Sequence, residues 1–281
     1  MRAQGVVLVT IALFVGIAGL VLHLLALCSP HWRITKRDLE PIMEPVSYGL
    51  WERCEYVNMT IIKQGVALGI RPHVQTCRPN LYMRYTPENF LTCYNIRRNC
   101  PVIQKNQIPS GCVCRYLSSD RALQWLTVIA AIFLILGLLL LYLKTIAQPL
   151  NESAVLLLSY APFVCFLLAL VSMATSLILI GAFLRRDSYE DYSFPLKSVS
   201  NNSIAPLNFD LHSLRNYAKF YEKSFTRDQH IAAEKELRDD AHTHYHTVIG
   251  RATIFEIIAT ALIAVTTVIV FLLGAASRSD M

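Results

Sequence analysis

Cys28-Ser29-Pro30-His31-Trp32 closes a long apolar segment, and Gly49-Leu50-Trp51-Glu52-Arg53-Cys54 follows shortly after it. A membrane helix stops at the first stretch, and an exposed, folded region begins. Two tryptophans and a cysteine just outside an apolar span suit the anchoring of a small domain onto a bilayer surface. Trp is favoured at the boundary between apolar and polar phases, and Cys there can be oxidised. The functional surface is therefore expected outside the membrane, in the region these residues open.

Composition points the same way. The 281 residues are 54% hydrophobic and only 16% charged, with a mean hydropathy of +0.39, too apolar for an ordinary soluble domain. The apolar residues gather in four blocks, each meeting the requirement of about 20 residues to cross a hydrocarbon core. This gives residues 1–28 as N-terminus and first span, 122–143 as the second, 154–184 as the third and 252–276 as the fourth. Between them lie a first loop at 29–121, a hairpin at 144–153, a second loop at 185–251 and a tail at 277–281. The first block is read as a retained span: it is longer than the roughly 7–15 residues of a signal core, and no small-x-small site precedes Cys28. Ser118-Ser119-Asp120 and Asn151-Glu152-Ser153 offer N-cap side chains to the second and third spans. The third block overshoots the bilayer and should project, tilt or bend at Pro162.

Both large loops fall on one side. A literal positive-inside count would place them in the cytoplasm, but long segments cross largely regardless of charge. Two other signals place them outside, with both termini cytoplasmic. Cys54, Cys77, Cys93, Cys100, Cys112 and Cys114, an even set and most of the cysteines, lie in the first loop, as in a disulfide-stapled secreted module. Asn58-Met59-Thr60 and Asn201-Asn202-Ser203 put one glycosylation sequon in each large loop. The first loop also carries 13 Lys and Arg against 7 Asp and Glu, so the formal charge of +6 resides there. Such a surface attracts anions, though exposed charge chiefly solubilises. The partners expected are the lipid bilayer and membrane proteins, with no nucleic acid.

Locally, the first loop favours extended structure. Trp32–Thr35 and Tyr56–Ile62 are rich in aromatic and β-branched residues and are punctuated by prolines, which suits short strands and turns. Six cysteines allow fifteen pairings, and no metal site is expected from thiols in an oxidising compartment.

Trp32, then Gly49-Leu50-Trp51, then Cys54, with Arg121-Ala122-Leu123 opening the second span, resembles the claudin superfamily, which includes peripheral myelin proteins and gamma-type channel subunits. The Ser29-Pro30-His31-Trp32 and Tyr48–Cys54 segments look closest to its Clc-like branch. The resemblance implies a left-handed four-helix transmembrane bundle with a small disulfide-stapled extracellular β-sheet in the first loop. It also implies that Cys54 is disulfide-bonded, with Cys77 the first choice of partner. The six cysteines and long second loop depart from a typical claudin.

In the second loop, Leu214, Tyr217, Tyr221 and Phe225 recur at helical spacing, Thr226–Gln229 fits a capping box, and Leu237, Ala241, Tyr245 and Val248 continue the helical period towards the fourth span. On that reading His242 and His246 share a helix face, but no third metal ligand accompanies them. Within the spans, His23 and Glu256 are the strongly polar residues, each about one turn from the same surface, and are expected to pair across helices rather than relay protons. Ala12, Gly16 and Gly19 on the first span and Ala261 and Ala264 on the fourth suit close packing. No phosphate-cradling loop, zinc-protease helix or nucleophile elbow appears, so neither an enzyme nor a cofactor is expected. Two functions remain: a claudin-like component of a cell junction, barrier or membrane scaffold at the plasma membrane, or an auxiliary subunit that alters trafficking or gating of a channel or receptor.

Overall fold

A computed structural model describes residues 3–37, 43–63, 66–80, 118–146, 152–187, 193–195, 208–210 and 227–279. In chain order these form α1 (Ala3–Cys28), β1 (Arg33–Arg37), β2 (Met43–Tyr48), β3 (Glu52–Lys63), β4 (Val66–Pro79), α2 (Ser118–Ile146), α3 (Glu152–Asp187), β5 (Ser193–Pro195), β6 (Asn208–Asp210), α4 (Arg227–His244), β7 (Tyr245–Ile249) and α5 (Arg251–Ser279). Helices α1, α2, α3 and α5 are long and apolar enough to cross a membrane, so the chain is a four-pass membrane protein. Chain contacts divide it into a helical unit of residues 1–32, 121–182 and 250–281, and a second unit of residues 33–120 and 183–249.

In the helical unit, burial follows a heptad. Among the described residues the buried stripe runs through Val9, Ala12, Gly16, Gly19, His23 and Ala26 on α1, and through Leu123, Thr127, Ala130, Leu134, Gly137 and Leu141 on α2, where Asp120, Gln124, Ala131 and Leu138 widen it. On α3 it includes Pro162, Phe166, Ala169, Met173, Ser176 and Ile180, and on α5 Ala252, Glu256, Ala259, Ile263, Thr266 and Val270. Steps of three and four alternate on every helix, a mean of about 3.5 against the 3.6 of a straight helix. Keeping such a stripe inward makes the helices coil left-handedly about one another, which gives a left-handed four-helix bundle.

Small residues set the closest approach. A methyl group added at Gly19 would lie 2.7 Å from Ile263 Cδ1, and one at Gly16 would lie 2.9 Å from Leu138 Cδ2. Ala12 is fully buried, as expected, but the small residues of α5 that face inward are Ala252 and Ala259. Ala261 is exposed and Ala264 only half-buried, because the heptad runs through 259 and 263 and turns 261 and 264 away from the seam. Phe166 lies over Gly137, and Phe163 tilts against Phe271 with ring centroids 5.3 Å apart. Helix α3 continues unbroken past Pro162 for 36 residues, about 54 Å at 1.5 Å per residue. It therefore projects past a core of about 30 Å.

The second unit holds a five-stranded antiparallel sheet in the order β4-β3-β2-β1-β7. Four strands form a meander from the first loop. The fifth comes from the second loop and closes the β1 edge, with Arg33 opposite Ile249 and Arg37 opposite Tyr245. The helical spacing that ran through Tyr245 and Val248 is thus overturned. Helix α4 ends at His244, and Tyr-His-Thr-Val-Ile, rich in residues stiff at χ1, takes the strand conformation it can pair. Thr35 and Thr247 share a cross-strand hydroxyl hydrogen bond of 2.9 Å. Since β7 starts at Tyr245, His242 and His246 do not share a helix face. Leu214, Tyr217, Tyr221 and Phe225 lie outside the described residues.

Candidate functional site

The residues that carry the claudin resemblance divide between the two units. In the helical unit, Trp32 follows α1 and is buried, 1% exposed. Its indole N–H donates to the Ala26 carbonyl at 2.7 Å, and its own carbonyl accepts from Gly250 N–H at 2.8 Å and from Thr253 Oγ1 at 2.7 Å. The His31 carbonyl accepts from Ala252 N–H at 3.0 Å. The chain leaving α1 thereby satisfies the open donors at the start of α5. A side chain at Gly250 would collide with the His31 carbonyl, so only glycine admits this approach. Trp32 was expected at the lipid boundary; it is instead an interior plug, because its indole N–H finds a carbonyl partner out of water. Arg121, in the same unit, bonds Gln124 Oε1 at 2.6 Å and stacks 5.3 Å over the Trp125 ring.

Beside the plug, burial and then the positive charge of Arg251 lower the pKa of His31. An unfolded chain, with its ordinary value of about 6.5, binds the proton more readily, so this contribution is complete above pH about 6.5 and is lost as pH falls below it. The unfolding midpoint of the wild type should drop more than that of His31→Gln between pH 7.5 and 5 in a detergent thermal-shift series. Parallel curves would refute it.

In the sheet unit, Gly49-Leu50-Trp51 is the turn between β2 and β3. Gly49 N–H donates to the Glu52 carbonyl at 2.8 Å, and Leu50 is buried. Asn80, also buried, clasps the turn from the end of β4. Its Nδ2 donates to the Gly49 carbonyl at 2.9 Å, and its backbone N–H donates to the Trp51 carbonyl at 2.9 Å. Trp51 itself stands 45% exposed. Immediately beyond, Cys54 and Cys77 face each other across β3 and β4 and form a disulfide, with Cα atoms 4.1 Å apart. Arg53 packs 5.3 Å from the Tyr48 ring centroid and pairs with Glu55 at 2.9 Å. Arg33 on β1 and Asp120 in the first turn of α2 form a buried ion pair at 3.3 Å.

Glu52, Cys54 and Cys77 place potential ligand atoms within 4.8 Å of one another, but the two sulfurs are bonded to each other and offer no thiolate. Removing the bridge with Cys54→Ser opens a loop with a sequence separation of 23 and should cost about 3 kcal/mol, visible as a lower unfolding midpoint. A reductant should lower the wild-type midpoint by more than it lowers that of the variant. Cys93, Cys100, Cys112, Cys114 and Asn201 lie outside the described residues, while Asn58 falls in β3.

Inside the bundle, His23 and Glu256 meet as expected. His23 Nδ1 lies 2.7 Å from Glu256 Oε2, and Nε2 lies 2.9 Å from the Thr127 carbonyl. A carbonyl only accepts, so Nε2 carries a proton, and the Nδ1···Oε2 bond holds one more. Whichever atom owns that second proton, the pair is net neutral. This suits a site out of reach of bulk solvent, with both side chains 0% exposed.

Sequence reasoning missed Asn80, Thr127, Thr253 and the Arg33–Asp120 pair. These are polar residues whose partners lie far along the chain, and no periodicity marks them. Comparison with protein-family models and with curated proteins finds no match.

Proposed function

We propose that this chain is a claudin-like protein of the plasma membrane that acts in a cell junction, epithelial barrier or membrane scaffold through its first loop. In this reading the large loops are extracellular, the termini are cytoplasmic, and Asn58 and Asn201 carry glycans. The observation that supports it is an exposed tryptophan on an immobilised turn: Trp51 is held by the Asn80 clasp and followed by the Cys54–Cys77 bridge. A rigid aromatic side chain loses little freedom on docking, which is why tryptophan recurs among the residues that dominate interface energy. The role is one of binding, with no catalytic step.

An auxiliary-subunit role is favoured by a different observation. The sheet closes its β1 edge with a strand from the second loop, so both loops build one rigid surface of the kind that a channel or receptor ectodomain can rest on. The junctional reading ranks first because it needs no second kind of protein.

Trp51→Ala should weaken association of the full-length protein, with itself or with a captured membrane partner, by about 30-fold, the equivalent of about 2 kcal/mol for a central interface residue. The unfolding midpoint should stay unchanged. In an epithelial monolayer the wild type should concentrate at cell contacts, and depletion should alter permeability. Uniform surface distribution with unchanged permeability would eliminate the junctional role, and co-purification with a channel would install the auxiliary one. A glycosidase-sensitive mobility shift, abolished only when Asn58 and Asn201 are both changed to Gln, tests the orientation.

A further inference from the structure

Four buried hydroxyls in the bundle satisfy themselves within their own helices. Ser176 donates to the Ser172 carbonyl at 2.9 Å, Thr266 to Leu262 at 3.0 Å, and Thr267 to Ile263 at 2.7 Å. Thr127 donates to the carbonyls of Gln124 at 2.9 Å and Leu123 at 3.1 Å. Glu256 departs from this pattern. Among the described residues its Oε1 is buried and has no hydrogen-bond partner, and the whole residue is 0% exposed. A buried acceptor left unpaired is destabilising, and more so if charged.

The surroundings define what can satisfy it. His23, Thr127 and Glu256 form one polar layer across α1, α2 and α5. Helix α3 contributes at the same depth. Gly137 of α2 touches Cys165 and Phe166 of α3, the short connection makes the two helices antiparallel, and ten residues along each lead back to Thr127 and on to Ser176, about 15 Å in both cases. Ser176 is fully buried. The hydroxyl protons of Thr127 and Ser176 are already donated within their own helices, so what both offer to the layer is lone pairs. Among the described residues nothing donates to Glu256 Oε1, so the layer requires a further donor. The His23–Glu256 pair is net neutral, so a cation would add an uncompensated charge to a bilayer interior, which is costly.

We infer that the polar layer of the bundle holds a single buried water, which donates one hydrogen bond to Glu256 Oε1 and the other to a hydroxyl lone pair of Thr127 or Ser176. Such a water completes a network that is otherwise one donor short and, where Ser176 is the acceptor, gives α3 a polar tie to the layer. Internal waters of this kind have about two to four polar partners.

The test is a high-resolution crystal structure of the full chain grown from lipid with sodium and again with choline in its place. The expected result is one density peak about 2.5–3.0 Å from Glu256 Oε1, present in both media. It should be retained in Glu256→Gln, whose amide oxygen can occupy the Oε1 position, and lost in Glu256→Leu. Should the leucine variant not fold, the glutamine variant and the two media still decide. A dry Oε1 in the wild type would overturn the inference. So would a peak that needs sodium and has more than about four oxygen neighbours. Unfolding midpoints in detergent should match between sodium and choline chloride; a rise specific to sodium and absent in Glu256→Gln would assign the site to a cation instead.

Discussion

Trp32→Ala should lower the unfolding free energy by about 3–5 kcal/mol, the range for deleting a large buried aromatic side chain. The indole is 1% exposed, and the segment carrying it holds the start of α5 through three hydrogen bonds from Gly250, Ala252 and Thr253. Cavity formation dominates the loss. The hydrogen bond to Ala26 is the smaller part, about 1 kcal/mol, since that carbonyl also accepts from Ser29 N–H at 3.1 Å. Trp32→Phe, which keeps most of the volume and removes the N–H, should therefore be the milder variant. Denaturant unfolding in bicelles, with disulfides intact, separates the two. An alanine variant as stable as the wild type would show that Trp32 is no plug, and a phenylalanine variant as weak as alanine would show that the hydrogen bond matters more than the filled volume.

The second large effect belongs to His23 and Glu256. Breaking a buried pair by removing one partner costs about 3–5 kcal/mol in soluble proteins. In a bilayer the dissociated helices also find partners, and single interhelical hydrogen bonds there average only about 0.6 kcal/mol. The expected loss for Glu256→Ala is about 3 kcal/mol, at the lower edge of the soluble range, because both side chains are fully buried and His23 would be left with Nδ1 facing no oxygen. The paired change His23→Leu with Glu256→Leu removes both polar groups together and should recover at least half of that loss. A double-mutant cycle measures the coupling directly; additive effects would mean that the 2.7 Å contact contributes nothing of its own.

The four spans were readable in the sequence because apolar length is a local property. The His23–Glu256 contact was readable too, since depth can be counted from Cys28 and from Arg251 and few other polar groups compete. Strand β7 was not. His242 to Val248 satisfies a helical spacing as well as a strand, and what decides is pairing with Arg33–Arg37, more than two hundred residues earlier in the chain. Periodicity in one segment contains nothing about that partner. The site divides along the same line. Trp32, Gly49, Leu50, Trp51, Cys54 and Arg121 stand out as a motif, but a motif does not say which tryptophan turns inward. That choice rests on the carbonyl of Ala26 beside one ring and the clasp of Asn80 behind the other. Small residues made a similar point: the alanines of α5 do not by themselves give the seam, whereas the 3.5-residue period of burial does.

The pairing of β1 with β7 also dictates an order of events during synthesis. Residues 33–37 emerge early from the ribosome, yet the strand that covers their outer edge lies at residues 245–249 and directly precedes the last helix. Until β7 is made, β1 presents an open row of backbone donors and acceptors, the kind of edge on which strands of other chains can pair. The sheet cannot finish until β7, two residues before α5, has been synthesised. Closure of the sheet is thus a late event, and an unpaired β1 edge marks any molecule whose second loop has not yet supplied β7.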